Sequence, residues 1–306
     1  MQSRPIVHIG YHKTATTWFQ DQLFPLAVSH QWVERKIVQH AFLAPPGLHF
    51  DPEQARRVLA LGERRLPVLL SEENLSGYLH NGGLHGFLAP EIARRIASTL
   101  PDARIVIFIR NQFDICRASY SQYVSGGGTW NEDRYFDHAK TVHGALTRPW
   151  KAPVFEFEHF EFDRLVDHYD ALFGADRVHV YLYEWMRDRD ALIDRLEADL
   201  GLAFRERPGS HRRSNESLGP AATASLRTAN LFTRQSVANK DVLIDLPGGQ
   251  ALRHAAKFIL RKLPWQHGAQ ALDSRWQDRI ATHYAESNRR LTARRALPLA
   301  KLGYPV

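Results

Sequence analysis

Four short runs constrain the fold most: "PIVHIG" (5–10), "PVLLS" (67–71), "ARIVIFIR" (103–110) and "RVHVYLYE" (177–184). Each is rich in β-branched residues and bounded by turn or cap residues, so each reads as a strand buried on both faces. The segments between them have helical spacing. "TTWFQDQLFPLA" follows the first run, and "DPEQARRVLALGERR" opens with Asp51 as N-cap and Pro52 at the first helical position. "APEIARRIAST" precedes the third run, "QFDICRASYSQYV" follows it, and "HFEFDRLVDHYDALFG" precedes the fourth. Such alternation predicts an α/β fold with a central parallel sheet flanked by helices on both faces. Ligands of such sheets sit beyond the C-terminal ends of the strands, so the residues after each run carry the functional argument.

With 306 residues, 44% of them hydrophobic, the chain can bury a full core. No repeat or clear linker divides it, and it reads as a single domain over 1–306 with a helical C-terminal extension from about 218 to 306. "GGGT" (126–129) reads as a flexible joint and "SHRRSNESLGP" (210–220) as a polar loop. The long basic helix in "SRWQDRIATHYAESNRRLTARRA" reads as a solvated face. Lys and Arg outnumber Asp and Glu by 40 to 33, and the resulting +7 favours an anionic ligand such as a nucleotide, a polysaccharide or nucleic acid. Cys116 is the only cysteine, which rules out an intramolecular disulfide and fits a reducing compartment. No run approaches the roughly 20 apolar residues of a membrane span, and the first is too short for a signal sequence. The expectation is a cytoplasmic protein that is not integral to a membrane. Sixteen histidines show neither an H-E-x-x-H motif nor a tight cluster, so no metal is expected.

The turn after the first run, "HIGYHKTATTW" (8–18), has the composition of an anion site. Gly10 permits a sharp bend, and the amides from Lys13 onward open a helix whose N-terminus carries partial positive charge. Lys13 adds a mobile charge, and Thr14, Thr16 and Thr17 add hydroxyl donors. The strand, turn and helix are P-loop-like, but the spacing is G-x-x-K-T-x-T-T, and His12 stands where an NTPase has glycine before its lysine. After the second run, "SEENLSG" places Glu72 and Glu73 side by side. In an extended chain they point to opposite sides, one to the pocket as a possible general base and the other to solvent. The third run ends at Arg110, which faces the same crevice and can grip a phosphate with two N–H groups. Ser119, Tyr120 and Ser121 lie further along the helix that follows. "HRRSNES" offers Arg212, Arg213, Ser214, Asn215 and Ser217 as anion ligands on a loop able to close. Trp130 and Tyr135 could form a sugar platform or pack into the helical layer.

Taken together, "GYHKTATTW", "IVIFIRNQFD" with its downstream serine and tyrosine, and "VYLYEWMRD" resemble the sulfotransferases that use 3′-phosphoadenosine-5′-phosphosulfate (PAPS). The similarity is nearest to bacterial members and those that sulfate carbohydrates. The family's first motif, K-[ST]-G-T-T-W, corresponds to Lys13, Thr14, Ala15, Thr16, Thr17 and Trp18 and implies a cradle for the 5′-phosphosulfate. Ala15 replaces the usual glycine, which the turn accommodates only with a negative φ. The second motif pairs an arginine with a serine eight residues on and implies a 3′-phosphate site. Arg110 matches, but the eighth position is Ala118. Ser119 comes one residue late, about 100° further round the helix, so either Ser119 binds the 3′-phosphate through a local shift or that contact is lost. Tyr183 corresponds to a tyrosine near the adenine, and Arg213 and Asn215 to the segment that closes on the nucleotide. The resemblance favours Glu73 over Glu72 as base, and His12, next to the lysine, is the reserve base. It implies in-line transfer of a sulfuryl group to a hydroxyl, on a carbohydrate or glycan before a small phenol or a lipid-linked acceptor. A P-loop kinase or NTPase acting on a nucleoside triphosphate is the alternative enzyme, and a polyanion binder the alternative class. Neither is supported by a strand-end aspartate for magnesium or by a nucleic-acid recognition motif.

Overall fold

The computed structural model describes residues 4–137, 155–209, 219–233, 243–244, 246, 248–262 and 272–306. Its centre is a five-stranded sheet with every pairing parallel, in the order β2-β3-β1-β4-β5. The four strands expected are β1 (Ile6–His8), β3 (Val68–Ser71), β4 (Arg104–Ile109) and β5 (Val178–Leu182). Sequence reading missed β2 (Gln31–Trp32), a two-residue edge strand too short to show a period. Alternate residues supply opposite faces, as a doubly covered sheet requires. Val7, Ile9, Leu70, Ile105, Ile107 and Ile109 join one core, and Ile6, Leu69, Val106, Phe108 and Tyr181 the other.

Helix α1 (Thr16–Trp18) runs on through a π turn (Phe19–Leu23) and a 3₁₀ turn (Phe24–Leu26), where Pro25 removes a backbone donor. α2 spans Arg35–Phe42. Asp51 caps α3 (Pro52–Val58) by accepting from the Glu53 amide at 2.9 Å, as expected, although the helix stops before the predicted "LALGERR". α4 (Leu88–Thr99), α5 (Gln112–Ser125), α6 (Glu132–Phe136), α7 (Phe162–Phe173) and α8 (Arg189–Leu200) follow in chain order. The C-terminal part is helical in α9 (Pro220–Ala229), α10 (Gly249–Lys262) and α11 (Ser274–Arg295). α11 is more than a solvated face. Trp276, Ile280, Tyr284 and Leu291 are buried, and Asn288 exchanges hydrogen bonds with Gln112 at the start of α5.

One further reading is corrected, and one left open is resolved. The glycines at 126–129 form a packed turn: a Cβ on Gly128 would lie 2.2 Å from the Tyr123 ring, whose hydroxyl accepts from the Thr129 and Trp130 amides. Trp130 and Tyr135 are buried at 4% and 2% exposure, so they belong to this aromatic layer and form no sugar platform. Among the described residues, no helix is long and apolar enough to cross a membrane.

Candidate active site

β1 lies between β3 and β4, and the chain leaves β1 towards β2 but leaves β4 towards β5. This divergence opens a crevice at the strand ends, where the turn after β1, the Glu72–Glu73 pair after β3 and Arg110 after β4 converge. Gly10 has φ +71°, and a Cβ there would sit 3.2 Å from the Glu73 Cα, so glycine is what lets the two strand ends approach.

Beyond Gly10 the turn is left-handed at two further residues, Lys13 (φ 67°) and Ala15 (φ 65°). The expectation of a negative φ at Ala15 is therefore wrong, and an alanine holds a conformation that favours glycine. Left-handed residues at alternate positions turn successive amides towards one side and make a nest for an anion. The amides of Thr14, Ala15, Thr16 and Thr17 make no backbone hydrogen bond among the described residues. The hydroxyls have another task. Thr14 and Thr16 donate to the Tyr11 carbonyl at 2.5 and 3.3 Å and brace the turn from within, which leaves exposed Thr17 as its outward hydroxyl. Lys13 Nζ donates to Gln122 Oε1 of α5 at 2.6 Å across the mouth of the crevice.

Arg110 reaches this turn directly. Its Nη1 donates to the Lys13 carbonyl at 3.0 Å, and its guanidinium lies 4.3 Å from the centre of the Tyr183 ring. Asp114 stands 3.9 Å from Nη2. Glu184 ties the ends of β4 and β5 together by accepting from the Asn111 amide at 2.9 Å and from the Tyr304 hydroxyl at 2.7 Å. Two buried nitrogens here, Arg110 Nε and Trp18 Nε1, have no hydrogen-bond partner among the described residues. A site with unmet donors, an amide nest and an aromatic face fits a nucleotide bearing separated anionic groups.

The two glutamates differ in kind. Glu72 is fully buried, contrary to the expectation that one of the pair meets solvent. It accepts from Arg35, from Gln39 at 2.7 Å and from both the amide and the side chain of Asn74. These donors outweigh burial and hold its pKa below the ordinary value. Glu73 keeps a fifth of its side chain exposed and accepts from Arg35 at 2.7 Å and, more loosely, from Gln20 at 3.4 Å. Burial, and then the neighbouring Glu72 charge, push its pKa up against the pull of Arg35. Glu72 is thus a structural anion and Glu73 a carboxylate with proton affinity to spare.

His12 is held by Asn74. Because the Asn74 amide nitrogen donates to Glu72, its Oδ1 faces His12 Nε2 at 3.1 Å, which places the ring proton on Nε2 and the lone pair on Nδ1. That Nδ1 is buried and has no partner among the described residues. Burial lowers the His12 pKa to about 4, so it is a weaker base than Glu73. The fold also gathers what the sequence scatters, since His12, His80 and His159 lie within electrostatic range of one another. Among the described residues, no cluster is arranged to hold a metal.

No protein-family model matches the chain, and no curated protein matches it. Solved structures do. A sulfotransferase from Alicyclobacillus acidocaldarius shares 18% identity over 74% of this chain and 94% of its own, with a TM-score of 0.47. A mouse sulfotransferase, SULT7A1, solved with PAP, shares 13% over 93% and 86%, with a TM-score of 0.35. The sulfotransferase domain of the curacin biosynthetic pathway shares 10% over 92% and 98%, with a TM-score of 0.38. All three are sulfotransferases. Likenesses this remote carry no chemistry across, and the residues of the crevice have to supply it.

Of the residues predicted for the site, Lys13, Ala15, Thr16, Thr17, Arg110, Tyr183, Glu73 and His12 lie around the crevice. Ser119 does not. It is fully buried, and its hydroxyl donates to the Ile115 carbonyl at 2.8 Å, because the one-residue offset turns it into the core. Thr14 is buried beneath the turn. Arg213 and Asn215 lie outside the described residues. Sequence reading missed Gln20, Arg35, Asn74 and Gln122. Asn74 follows Glu73 directly and Gln122 sits on the predicted helix after Arg110, whereas nothing local marks Gln20 or Arg35.

Proposed function

We propose that the protein is a sulfotransferase that moves a sulfuryl group from PAPS to a hydroxyl acceptor, a carbohydrate or related glycan, in the cytoplasm. The contact of Arg110 with the Lys13 carbonyl carries this reading. It sets two cationic groups from two adjacent strands about one turn, with the Tyr183 ring stacked on the second. A doubly phosphorylated adenosine matches that pattern: one anionic end for the nest, another for Arg110 and a flat base for an aromatic face. A triphosphate would concentrate its charge in the turn and give Arg110 nothing of its own.

When bound, PAPS supplies an activated sulfuryl group on a phosphate leaving group. The amides of 14–17 and Thr17 hold the 5′ anion, Trp18 closes its side, and Arg110 holds the 3′-phosphate. Lys13 leaves Gln122 to neutralise charge building on the leaving oxygen, a role of the kind usually worth about 10²- to 10³-fold in rate. Glu73 takes the proton of the acceptor hydroxyl, and its raised pKa brings it nearer the working pH. Arg35 and Gln20 orient the carboxylate, and His12 Nδ1 is the reserve acceptor. By resemblance, Arg213 and Asn215 close over the nucleotide.

A thermal-shift panel tests the reading. Adenosine 3′,5′-bisphosphate at about 100 times its Kd should stabilise the fold by roughly 2.7 kcal/mol, with ATP and GTP well behind. A larger shift with ATP, together with magnesium-dependent ATP hydrolysis, would establish an NTPase instead.

A further inference from the structure

Apart from the groups assigned to the nucleotide, the crevice has a second set of unmet polar atoms. His12 Nδ1, Asn81 Nδ2 and His159 Nε2 are buried and have no hydrogen-bond partner among the described residues. Native folds rarely leave such atoms unpaired, so three in one neighbourhood point to a ligand. The loop over residues 77–86, which follows the 3₁₀ turn Glu73–Ser76, brings them together. It folds back on itself, since a Cβ on Gly77 would lie 2.5 Å from the Gly82 carbonyl oxygen. Glycine at 82 also lets the loop press on His159, whose Nδ1 would stand 3.1 Å from a Cβ there. The Glu156 amide donates to the His80 carbonyl at 2.8 Å, and His85 Nδ1 pairs with Glu156 Oε1 at 2.6 Å. These bonds pin the loop to the chain entering the turn Phe157–Phe160, which carries His159. The His159 ring lies 5.3 Å from that of Tyr11, the residue before His12, and within electrostatic range of His12 and His80.

The hydrogen-bonding sense of two of these atoms is fixed. His12 carries its proton on Nε2, towards Asn74, so its Nδ1 accepts. Asn81 is 1% exposed and takes the Gly83 amide on Oδ1 at 3.0 Å, so its Nδ2 donates. One acceptor beside one donor suits a hydroxyl, which both gives and takes a hydrogen bond. An anion would meet the His12 lone pair, and a cation would meet the Asn81 N–H. Burial keeps both rings neutral, His12 at about 4 and His159 at about 3, so the site holds no charge for an ionic group.

We propose that His12, Asn81 and His159 bind a second hydroxyl of the acceptor, so that the protein selects polyols over alcohols and phenols with a single hydroxyl. The inference rests on the sulfotransferase reading above, in which Glu73 takes the proton of the reacting hydroxyl and leaves His12 Nδ1 to another. Asn74 joins the two subsites, since it follows Glu73 in the chain and holds the His12 ring. Tyr78 completes the site at its rim. It is 42% exposed, with its ring 5.5 Å from that of His80, and offers an aromatic face to a sugar ring.

Transfer of radiolabelled sulfate from PAPS to defined probes tests it. The methyl pyranosides of glucose, galactose and mannose supply several hydroxyls, and cyclohexanol and p-nitrophenol supply one. At least one pyranoside should be sulfated, with kcat/KM roughly a hundredfold or more above either single-hydroxyl probe. Asn81→Asp keeps an oxygen for the Gly83 amide but removes the donor, and His159→Phe keeps a ring against Tyr11 but removes Nε2. Each should raise KM for that pyranoside about tenfold while kcat moves much less. The melting temperature and the affinity for adenosine 3′,5′-bisphosphate should stay as in the parent, and if Asn81→Asp does not fold, His159→Phe decides. Folded variants with the parent's KM would overturn the proposal, because the three atoms would then hold water only. So would cyclohexanol or p-nitrophenol serving as well as any pyranoside, or no pyranoside being sulfated by protein that binds adenosine 3′,5′-bisphosphate. Failure to bind that nucleotide would instead remove the sulfotransferase reading, and this inference with it.

Discussion

The turn after β1 and the helix after β4 both leave a central strand and both border the crevice, yet they serve it differently. The turn acts through its backbone: Lys13 and Ala15 adopt left-handed φ, the amides are presented together, and Thr14 and Thr16 brace the bend from inside. α5 contributes through side chains whose direction is set by helical phase. Gln122 reaches Lys13, while Ser119 turns into the core. A backbone site tolerates altered side chains at its edges. A side-chain site on a helix is lost when a residue is displaced by one position.

The largest effect should come from the turn and the carboxylate beside it. Lys13→Ala is expected to lower turnover by two orders or more, and Glu73→Gln by roughly 10²- to 10⁴-fold with nucleotide affinity intact. Glu72→Gln should instead lower stability, because it removes the buried anion that Arg35, Gln39 and Asn74 converge on. Steady-state kinetics beside thermal melts separate the two outcomes, and a Glu72→Gln enzyme that melts normally but does not turn over would exchange their roles.

Acid comes next. Burial pushes His8, His80 and His159 down to about 3, from an ordinary value of 6.5. Between those values the unfolded chain binds protons that the folded chain refuses, so stability falls as pH drops through that window. Each such histidine costs up to about 1.4 kcal/mol per pH unit there. Denaturant melts should lose stability from just below pH 6.5, ahead of the carboxylate range, and His8→Phe should reduce the slope. Stability that holds level from pH 6.5 to 5 would show that these rings are protonated in the fold.

The smallest effects sharpen the contrast between turn and helix. Ala15→Gly relieves a left-handed alanine and should stabilise the protein by about 1 kcal/mol. Ser119→Ala removes a hydroxyl that, among the described residues, bonds only to its own helix, and should leave nucleotide affinity unchanged. A marked loss of affinity in Ser119→Ala would mean that α5 shifts phase when the nucleotide binds.

What the sequence disclosed follows the same division. Buried parallel strands announce themselves as apolar runs, so four of the five were legible, and β2, with two residues, was not. The turn was legible because its spacing is local, although the sign of φ at Ala15 was not, since an alanine accepts strain only where its neighbours impose it. Glu73 and Glu72 looked alike in sequence. What separates them is Arg35, Gln39 and Gln20, which the fold delivers from other elements. The histidines looked scattered for the same reason, as residues 12, 80 and 159 meet only in three dimensions.

The central claim is that the turn and Arg110 hold two ends of one nucleotide. Calorimetric titration of adenosine 3′,5′-bisphosphate and of adenosine 5′-phosphate into the parent protein and Arg110→Ala tests it as a thermodynamic cycle. Loss of either the 3′-phosphate or the guanidinium should weaken binding roughly tenfold to a hundredfold, and loss of both should be little worse than loss of one. Equal weakening of both nucleotides by Arg110→Ala, or no weakening of either, would contradict the account.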